Sequence, residues 1–170
     1  MATPKITLAF DPEAEGAIFL FTHACIKLYP AGDSALESYL TSRGVAKLPE
    51  AEARQYTRTN QSRAFSVSSV KKYILALEDD NLCTVFADAV NRENIYSAWE
   101  MIRKGLVSKA ISEKTEITMT GALESKHYSY YINSNQFILT ITITAKSSTA
   151  EKTDFIISAV SAMRAKQIKR

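Results

Sequence analysis

The sequence has few of the residues on which most catalytic sites, metal sites and membrane spans depend. Its five glycines are scattered, and none lies in a cluster that could cradle a phosphate group. Its two histidines, His23 and His127, and its two cysteines, Cys25 and Cys83, do not have the spacing of a four-ligand zinc site. No run approaches the ~20 apolar residues that cross a bilayer. These shortages predict no membrane span, no metal, no cofactor and no catalytic residue.

The charges of the chain are almost balanced. Its 21 Lys and Arg residues and 18 Asp and Glu residues leave a formal net charge of +3. Nucleic-acid-binding domains usually carry a basic stripe on one face, and none is visible here, so we expect no nucleic acid partner. Four of the cations fall within the last seven residues, RAKQIKR, which predicts a basic flexible tail at about 164–170.

The longest apolar stretch, residues 16–29, does not have the pattern of a targeting segment. It is interrupted by Thr22, His23 and Lys27, and acidic residues precede it. A signal peptide instead has a basic region ahead of its apolar core. The sequence as written is compatible with a cytoplasmic protein and equally with a mature periplasmic protein whose signal peptide has been removed.

The first part of the chain has helical periodicity. Asp11 is a candidate N-cap ahead of Pro12, and apolar residues then recur at steps of three and four along one stripe that includes Ile18 and Cys25. Gly44 is expected to end the second helix. We predict helices over about 12–29, 33–44 and 49–56, followed by a polar loop over 57–69.

Residues 71–90, KKYILALEDDNLCTVFADAV, have the pattern of a β-hairpin. Two apolar runs, 73–77 and 82–87, flank a turn at 79–81. Pairing about this turn is expected to group Leu75, Leu77, Leu82 and Phe86 on one face and Ile74, Ala76, Cys83 and Val85 on the other. Because both faces are apolar, we expect the hairpin to be central in a sheet and covered on both sides. The small residues on the Cys83 face would let a helix approach closely.

A further helix follows the hairpin. Asn91 is its predicted N-cap and Gly105 its predicted end. Its apolar stripe consists of Ile95, Ala98, Trp99 and Ile102, and we expect Trp99 to be buried against the sheet.

The period then changes to two, which indicates strands. We predict strands over about 114–123, 127–132 and 137–146, the last with Leu139, Ile141 and Ile143 inward and threonines toward water. Residues 154–163 fit a strand or a helix, and the β-branched residues at their start favour a strand. The result is a single α+β domain over 1–170, with N-terminal helices and one later helix on an antiparallel sheet made of the hairpin and a C-terminal meander.

Several groups of residues could carry chemistry, and each also has a structural interpretation. A thiol of Cys25 or Cys83 could be activated by His127, but both cysteines lie on apolar stripes, where a thiol is less reactive. The acidic residues at 78–80 have the pattern of a solvated turn. The segment HYSYYI places His127, Tyr128, Tyr130 and Tyr131 where they could form a surface or pocket, although such residues more often fill a sheet face.

The two cysteines are the strongest pair in the sequence. Cys25 lies on the inner stripe of the first helix and Cys83 on an apolar strand, so a helix packed on the hairpin would bring them together. The alternative is two buried free thiols that pack as small hydrophobic residues. We predict a Cys25–Cys83 disulfide, which would indicate an oxidising compartment.

The order of these motifs resembles a known group of proteins. Phe21-Thr22-His23-Ala24-Cys25 late in an N-terminal helix, Tyr73–Leu77, and Leu82-Cys83-Thr84-Val85 after the turn are similar to motifs of small, functionally uncharacterised proteins exported to the envelope of Gram-negative bacteria. One departure is Asn81-Leu82, where a glycine is common before the cysteine. The resemblance implies a periplasmic location and no established activity.

These observations lead to three functional hypotheses. The first is a non-enzymatic periplasmic protein that binds another protein, as an accessory subunit of an envelope or secretion assembly. The second is a small-ligand-binding protein or enzyme with a pocket between the first helix and the sheet, near His127 and the tyrosines. The third is an inhibitor or immunity protein. The sequence identifies neither the partner nor the oligomeric state.

Overall fold

A computed structural model describes residues 12–28, 33–59, 61–68, 72–78, 82–109, 112–132, 137–146 and 152–161. Its helices are α1 (Pro12–Phe21), α2 (Asp33–Ser42), α3 (Glu50–Ala53) and α4 (Arg92–Lys109), and a π-helical segment, Thr22–Leu28, continues α1. Its strands are β1 (Ala46–Lys47), β2 (Arg63–Ser68), β3 (Lys72–Leu77), β4 (Leu82–Asn91), β5 (Ser112–Thr120), β6 (Leu123–Ile132), β7 (Phe137–Lys146) and β8 (Lys152–Ser161). The predicted α+β class, with helices on an antiparallel sheet, is confirmed.

All eight strands belong to one antiparallel sheet, in the order β1-β2-β3-β4-β8-β7-β6-β5. The strand interpretation of 154–163 is confirmed, since β8 covers Lys152–Ser161 and pairs with β4 on one side and β7 on the other. The hairpin of β3 and β4 and the meander of β5, β6 and β7 are therefore joined through the last strand. Between Ala87 and Val90 the β4–β8 register shifts, and Ala89 has a positive φ of 48° at this bulge.

Several boundary predictions were wrong. The helix predicted over 49–56 covers only Glu50–Ala53, and the strand predicted over 114–123 ends at Thr120. The polar loop predicted over 57–69 contains β2, which pairs with β3 along Arg63–Ser68. The serines and arginine of this strand hide its apolar pattern. Ala64 and Phe65 are buried, and Val67 is half-buried. Gly105 does not end α4, which continues to Lys109, because a glycine within a helix costs only about 1 kcal/mol and does not break it.

The predicted faces of the hairpin were also wrong by one residue. Leu77 pairs with Cys83 and Leu75 with Val85, so these four side chains share one face. Ile74, Ala76, Thr84 and Phe86 share the other. Cys83 therefore lies beside Leu75, Leu77 and Val85, and Ala76, the small residue expected beside it, lies on the opposite face.

The two faces of the sheet are covered by different helices, as predicted for the hairpin. We call the face that carries Leu75, Val85, Ile157 and Ile143 the inner face; these four residues form a cross-strand row and are fully buried. The helix α1, the π-helical segment and α4 pack on it. On the outer face, α3 covers only the β2–β3 end, where Ala53, Ala64, Ile74 and Ala76 form a second small core.

The predicted disulfide is present. Cys25 on the π-helical segment is bonded to Cys83 on β4, with Cα atoms 5.4 Å apart, and both residues are buried.

Of the three residues of β7 predicted to point inward, Ile143 is fully buried, and the side chains of Leu139 and Ile141 lie outside the described set. The basic tail at 164–170 also lies outside the described residues.

The later helix begins and packs as its sequence predicts. The Asn91 side chain accepts a hydrogen bond from the Asn94 backbone N–H at 3.0 Å, which is the geometry of an N-cap. Trp99 is fully buried, with its ring 5.2 Å from that of Tyr128 on β6. Among the helices of the described part, none is long and apolar enough to cross a membrane.

Candidate protein-binding surface

The four residues of HYSYYI are not brought together on one surface. Successive residues of a strand point to opposite faces, so Tyr128 and Tyr130 point inward and His127 points outward. Tyr128 and Tyr130 are buried, while His127 hydrogen-bonds to Thr118 at 2.9 Å on the outer face. The side chain of Tyr131 lies outside the described set. The predicted pocket around His127 and the tyrosines is therefore not formed by these residues as a group.

The inward tyrosines belong to a polar layer between α4 and the strands β5 and β6. Along the helix, Arg92 lies 3.7 Å from Glu124, the Lys126 ammonium lies 4.3 Å from the centre of the Tyr96 ring, and Trp99 packs on Tyr128. Helix α4 thus runs along β6. Each successive turn of the helix contacts the next inward-pointing residue of the strand: Glu124, then Lys126, then Tyr128.

Arg103 closes this layer at the far end of the helix. Its guanidinium donates hydrogen bonds to Glu113 at 2.6 Å and to Glu100 at 3.0 Å, and lies 5.8 Å from the Tyr128 ring centre. The hydrogen bond to Glu113 raises the pKa of Arg103 further above its usual value. Because Glu113 is on β5 and Glu100 on α4, the ion pairs fix the helix against the outermost strand of the sheet.

Several polar atoms of this layer are buried without a hydrogen bond. Within the described residues, the atoms without a partner are the hydroxyls of Tyr96 and Tyr130, Trp99 Nε1, Arg103 Nε and Glu113 Oε2. Burial raises the pKa of Tyr96, Tyr128 and Tyr130, and the Glu113 side chain, which faces Tyr130 across the β5–β6 pair, raises the pKa of Tyr130 further. Burial therefore disfavours the phenolate form of these tyrosines.

The acidic turn is also more structured than predicted. Glu78, expected to be solvated, is only 5% exposed and accepts a hydrogen bond from Arg58 Nε at 2.9 Å. Asp79 and Asp80 lie outside the described residues. In the described part of the chain, no three His, Cys, Asp or Glu side chains converge in a metal-ligating group.

The most exposed large apolar side chains near a concave surface are Phe19 on α1 and Met101 on α4. Phe19 is 62% exposed and Met101 72% exposed. They flank a groove of about 370 Å³ between the two helices, lined by Ile18, Phe19, Thr22, His23, Ala98, Met101 and Ile102. Within the residues that the structure describes, this lining contains no Asp, Glu, Lys or Arg side chain.

A second groove lies on the other side of Phe19. It also measures about 370 Å³ and is formed by α1, α2, the residues after α2 and the strands β2 and β3, with Phe19, Leu20, Tyr39, Leu40, Arg43, Val45, Val67 and Tyr73 in its lining. This groove is between the first helix and the sheet, where a pocket was predicted, but at the β2–β3 end, away from His127. Phe19 is the ridge between the two grooves.

Stacked rings connect the ridge to α2. Phe19 stacks on His23 with ring centres 5.1 Å apart, and His23 is 5.4 Å from Tyr39. The guanidinium of Arg43 lies 5.3 Å from the centre of the Tyr39 ring. We call the two grooves, their Phe19 ridge, Met101 and this row of rings the Phe19 surface. Among the described residues that line the two grooves, Arg43 is the single Lys or Arg side chain, and it lies at one end of the Phe19 surface.

The sequence contains a weak signal for this surface. The predicted stripe of α1 includes Ile18, Phe21 and Cys25. Two large apolar residues, Phe19 and Leu20, lie off it, of which Leu20 is buried and Phe19 is exposed. Met101 is likewise outside the stripe of α4. A position off the stripe is therefore only a weak signal of exposure. The pairing of Phe19 with Met101 across one groove depends on helix packing, which periodicity does not give.

Comparison with known proteins yields no relative. No protein-family model matches the chain, and neither does any curated protein or solved structure. The α+β fold and the Phe19 surface are therefore interpreted from the physical chemistry of this chain alone.

Proposed function

We propose that the chain is a periplasmic, non-enzymatic protein that binds another protein through the Phe19 surface, as an accessory subunit of an envelope or secretion assembly. The observation that carries the proposal is the exposure of Phe19 and Met101 beside a groove whose lining is largely apolar. Apolar side chains exposed together beside a groove mark interaction sites in soluble proteins.

The residue types favour a protein as the partner. Aromatic residues, methionine and arginine are enriched in the cores of protein interfaces, and the Phe19 surface combines Phe19, Tyr39, Met101 and Arg43. A ridge between two grooves also offers a partner two adjacent sites for its own apolar anchors. The fitting partner is an amphipathic helix with apolar residues at i, i+3, i+4 and i+7 and an acidic residue that reaches Arg43.

The disulfide supports the periplasmic location. Structural disulfides form and persist in oxidising compartments, and both cysteines of this chain are bonded to each other. The resemblance to exported envelope proteins of Gram-negative bacteria points in the same direction.

Site-specific photo-crosslinking tests the binding. A photoreactive amino acid is introduced at Phe19 and, as a control, at Val107, which is also exposed on α4 but lies outside the grooves. Irradiation of intact host cells, followed by mass spectrometry, should give one reproducible protein adduct from residue 19 and none from residue 107. Identical adduct patterns from both positions would contradict a specific surface.

Substitution supplies the matched test. Phe19→Ser combined with Met101→Ser should abolish capture of that protein, whereas Val107→Ser should not. Because all three replaced side chains are exposed, the variants should keep an unfolding midpoint close to that of the wild type. Retention of the partner by the folded double variant would contradict the proposed site.

Cell fractionation tests the location separately. Chain recovered from the host periplasm should show no reactive thiol after denaturation without reductant. Recovery only from the cytoplasm, with two reactive thiols per chain, would contradict the periplasmic location while leaving the binding test unaffected.

A further inference from the structure

The two edges of the sheet are protected to different degrees. At one edge, β1 is only two residues long, Ala46–Lys47. At the other, β5 is nine residues long, Ser112–Thr120, and no described strand pairs with its outer side. A long edge strand presents a row of backbone N–H and C=O groups that another strand can pair with, and short edges do not.

The β5 edge also exposes apolar side chains on the inner face of the sheet. Ile117 is 61% exposed and Met119 is 55% exposed, since α4 lies above β6 and its ion pair to β5, from Arg103 to Glu113, is near the start of that strand. Both residues lie opposite Lys126 and Glu124 of β6 rather than under a helix. This is the place where the inner face of the sheet continues past its helical cover.

The sequence of β5 is compatible with pairing to itself. In an antiparallel pair centred on Ile117, Ile117 faces Ile117 of the second copy and Met119 faces Thr115. The same register places Glu116 opposite Thr118 and Lys114 opposite Thr120, so no like charges are directly opposed. Centring the pair on Glu116 would oppose two carboxylates, and centring it on Thr115 would leave Met119 outside the paired stretch of β5.

The charges on the outer face fit this pairing as well. Lys114 forms an ion pair with Glu116 of its own strand at 2.5 Å, and this contact lowers the pKa of Glu116. Each carboxylate is therefore neutralised within its own copy before the two strands meet.

We propose that two copies of the chain associate through their β5 strands, in antiparallel register about a two-fold axis at Ile117, into one continuous sheet. The interface is isologous, as in most protein dimers. The two α4 helices then lie roughly 14 Å apart, three strand spacings of about 4.8 Å, which is wider than direct helix packing. Ile117 and Met119 of both copies fill the space between them.

Sedimentation equilibrium over a concentration series tests the association with the disulfide-bonded chain. The wild type should show a monomer–dimer equilibrium. Ile117→Lys places two ammonium groups opposite each other at the axis and should weaken the dimer by about tenfold or more, roughly 1.4 kcal/mol. Met101→Lys, at an exposed position on the Phe19 surface, should leave the dimer unchanged, so the test is independent of the proposed function.

Single cysteine substitutions test the register. After mild oxidation, Ile117→Cys should give a covalent dimer in high yield, while Thr115→Cys and Glu116→Cys should not. A chain that stays monomeric at every concentration, or that takes up a strand of a different protein at β5 while monomeric, would overturn the proposal. A dimer that Ile117→Lys leaves intact, or one that cross-links through residue 115 or 116 instead of 117, would overturn it too.

Discussion

Gly16 on α1 lies directly against the ring of Tyr73 on β3. A Cβ atom at residue 16 would be 3.1 Å from the Tyr73 hydroxyl oxygen and 3.3 Å from its Cε2. Tyr73 is 1% exposed and packed in the core, so its ring has little room to move. The absence of a side chain at residue 16 therefore sets how closely the first helix approaches the sheet.

Gly16→Ala is accordingly expected to destabilise the protein. Alanine gains about 1 kcal/mol of helix propensity over glycine, but overpacking a filled core costs about 1–3 kcal/mol, so we expect a net loss of about 1 kcal/mol. Gly105→Ala on α4 is the control, since a Cβ there meets nothing within 4 Å and should stabilise by up to about 1 kcal/mol. Urea unfolding measures both, and a shift of the same sign in the two variants would contradict the close contact.

Loss of the disulfide should weaken the fold without abolishing it. Cys25 and Cys83 are 58 residues apart, and the entropy of closing a loop of that length corresponds to about 4 kcal/mol. We expect reduction to lower the free energy of unfolding by about this amount while the far-ultraviolet circular dichroism is retained. The variant with both cysteines replaced by serine is the control, and its stability should not respond to reductant. A reduced wild type as stable as the oxidised form would rule out this contribution.

The buried tyrosines should make the protein sensitive to alkaline pH. The pKa of Tyr130 is raised in the folded state, so above a pH of about 10 the unfolded chain loses a proton that the folded chain retains. Stability is therefore fully present below the unfolded pKa and falls above it, by about 1.4 kcal/mol per pH unit for each such tyrosine. Tyr130→Phe should have a shallower decline between neutral and alkaline pH in guanidinium unfolding. Parallel declines for variant and wild type would show that Tyr130 titrates normally.

The alternation along β7 predicts opposite responses at neighbouring positions. Ile143 is fully buried on the inner face, whereas Thr144 is half-buried on the outer face, where it hydrogen-bonds to Ser125 at 2.9 Å. Ile143→Lys buries an unpaired charge and should unfold the protein. Thr144→Lys should cost about 1 kcal/mol, the value of one hydrogen bond. Thermal unfolding followed by circular dichroism separates the two outcomes, and equal tolerance would contradict the assignment of faces.

Local patterns were sufficient to predict most of the elements and the disulfide. The Asn91 cap, the strand over 137–146 and the pairing of Cys25 with Cys83 were each predicted from a few residues and are each confirmed. The strand β2 was missed because its pattern is polar, and its register is set by pairing with β3 instead. The hairpin faces were wrong because face depends on register, and a shift of one residue in the turn reverses it.

The candidate surface was less accessible to sequence reasoning. Tyr128 and Tyr130 were identified as notable, but which face of β6 is covered depends on where α4 packs, and that depends on residues more than ten positions away. The Phe19 surface depends on the approach of α1 to both α4 and α2. The distances from α1 to α4 and to α2 are determined by tertiary packing, and no single segment of the sequence encodes them.

The position of β8 has a consequence for how the chain reaches its native state. Because β8 pairs with β4, the middle of the sheet forms only when residues 152–161 pair with residues 82–91. Contacts between segments so far apart in sequence slow folding. As the chain emerges from the ribosome, β4 is exposed as an apolar edge until the final strand has been synthesised. Folding of the whole chain at once, after its synthesis, avoids that exposure.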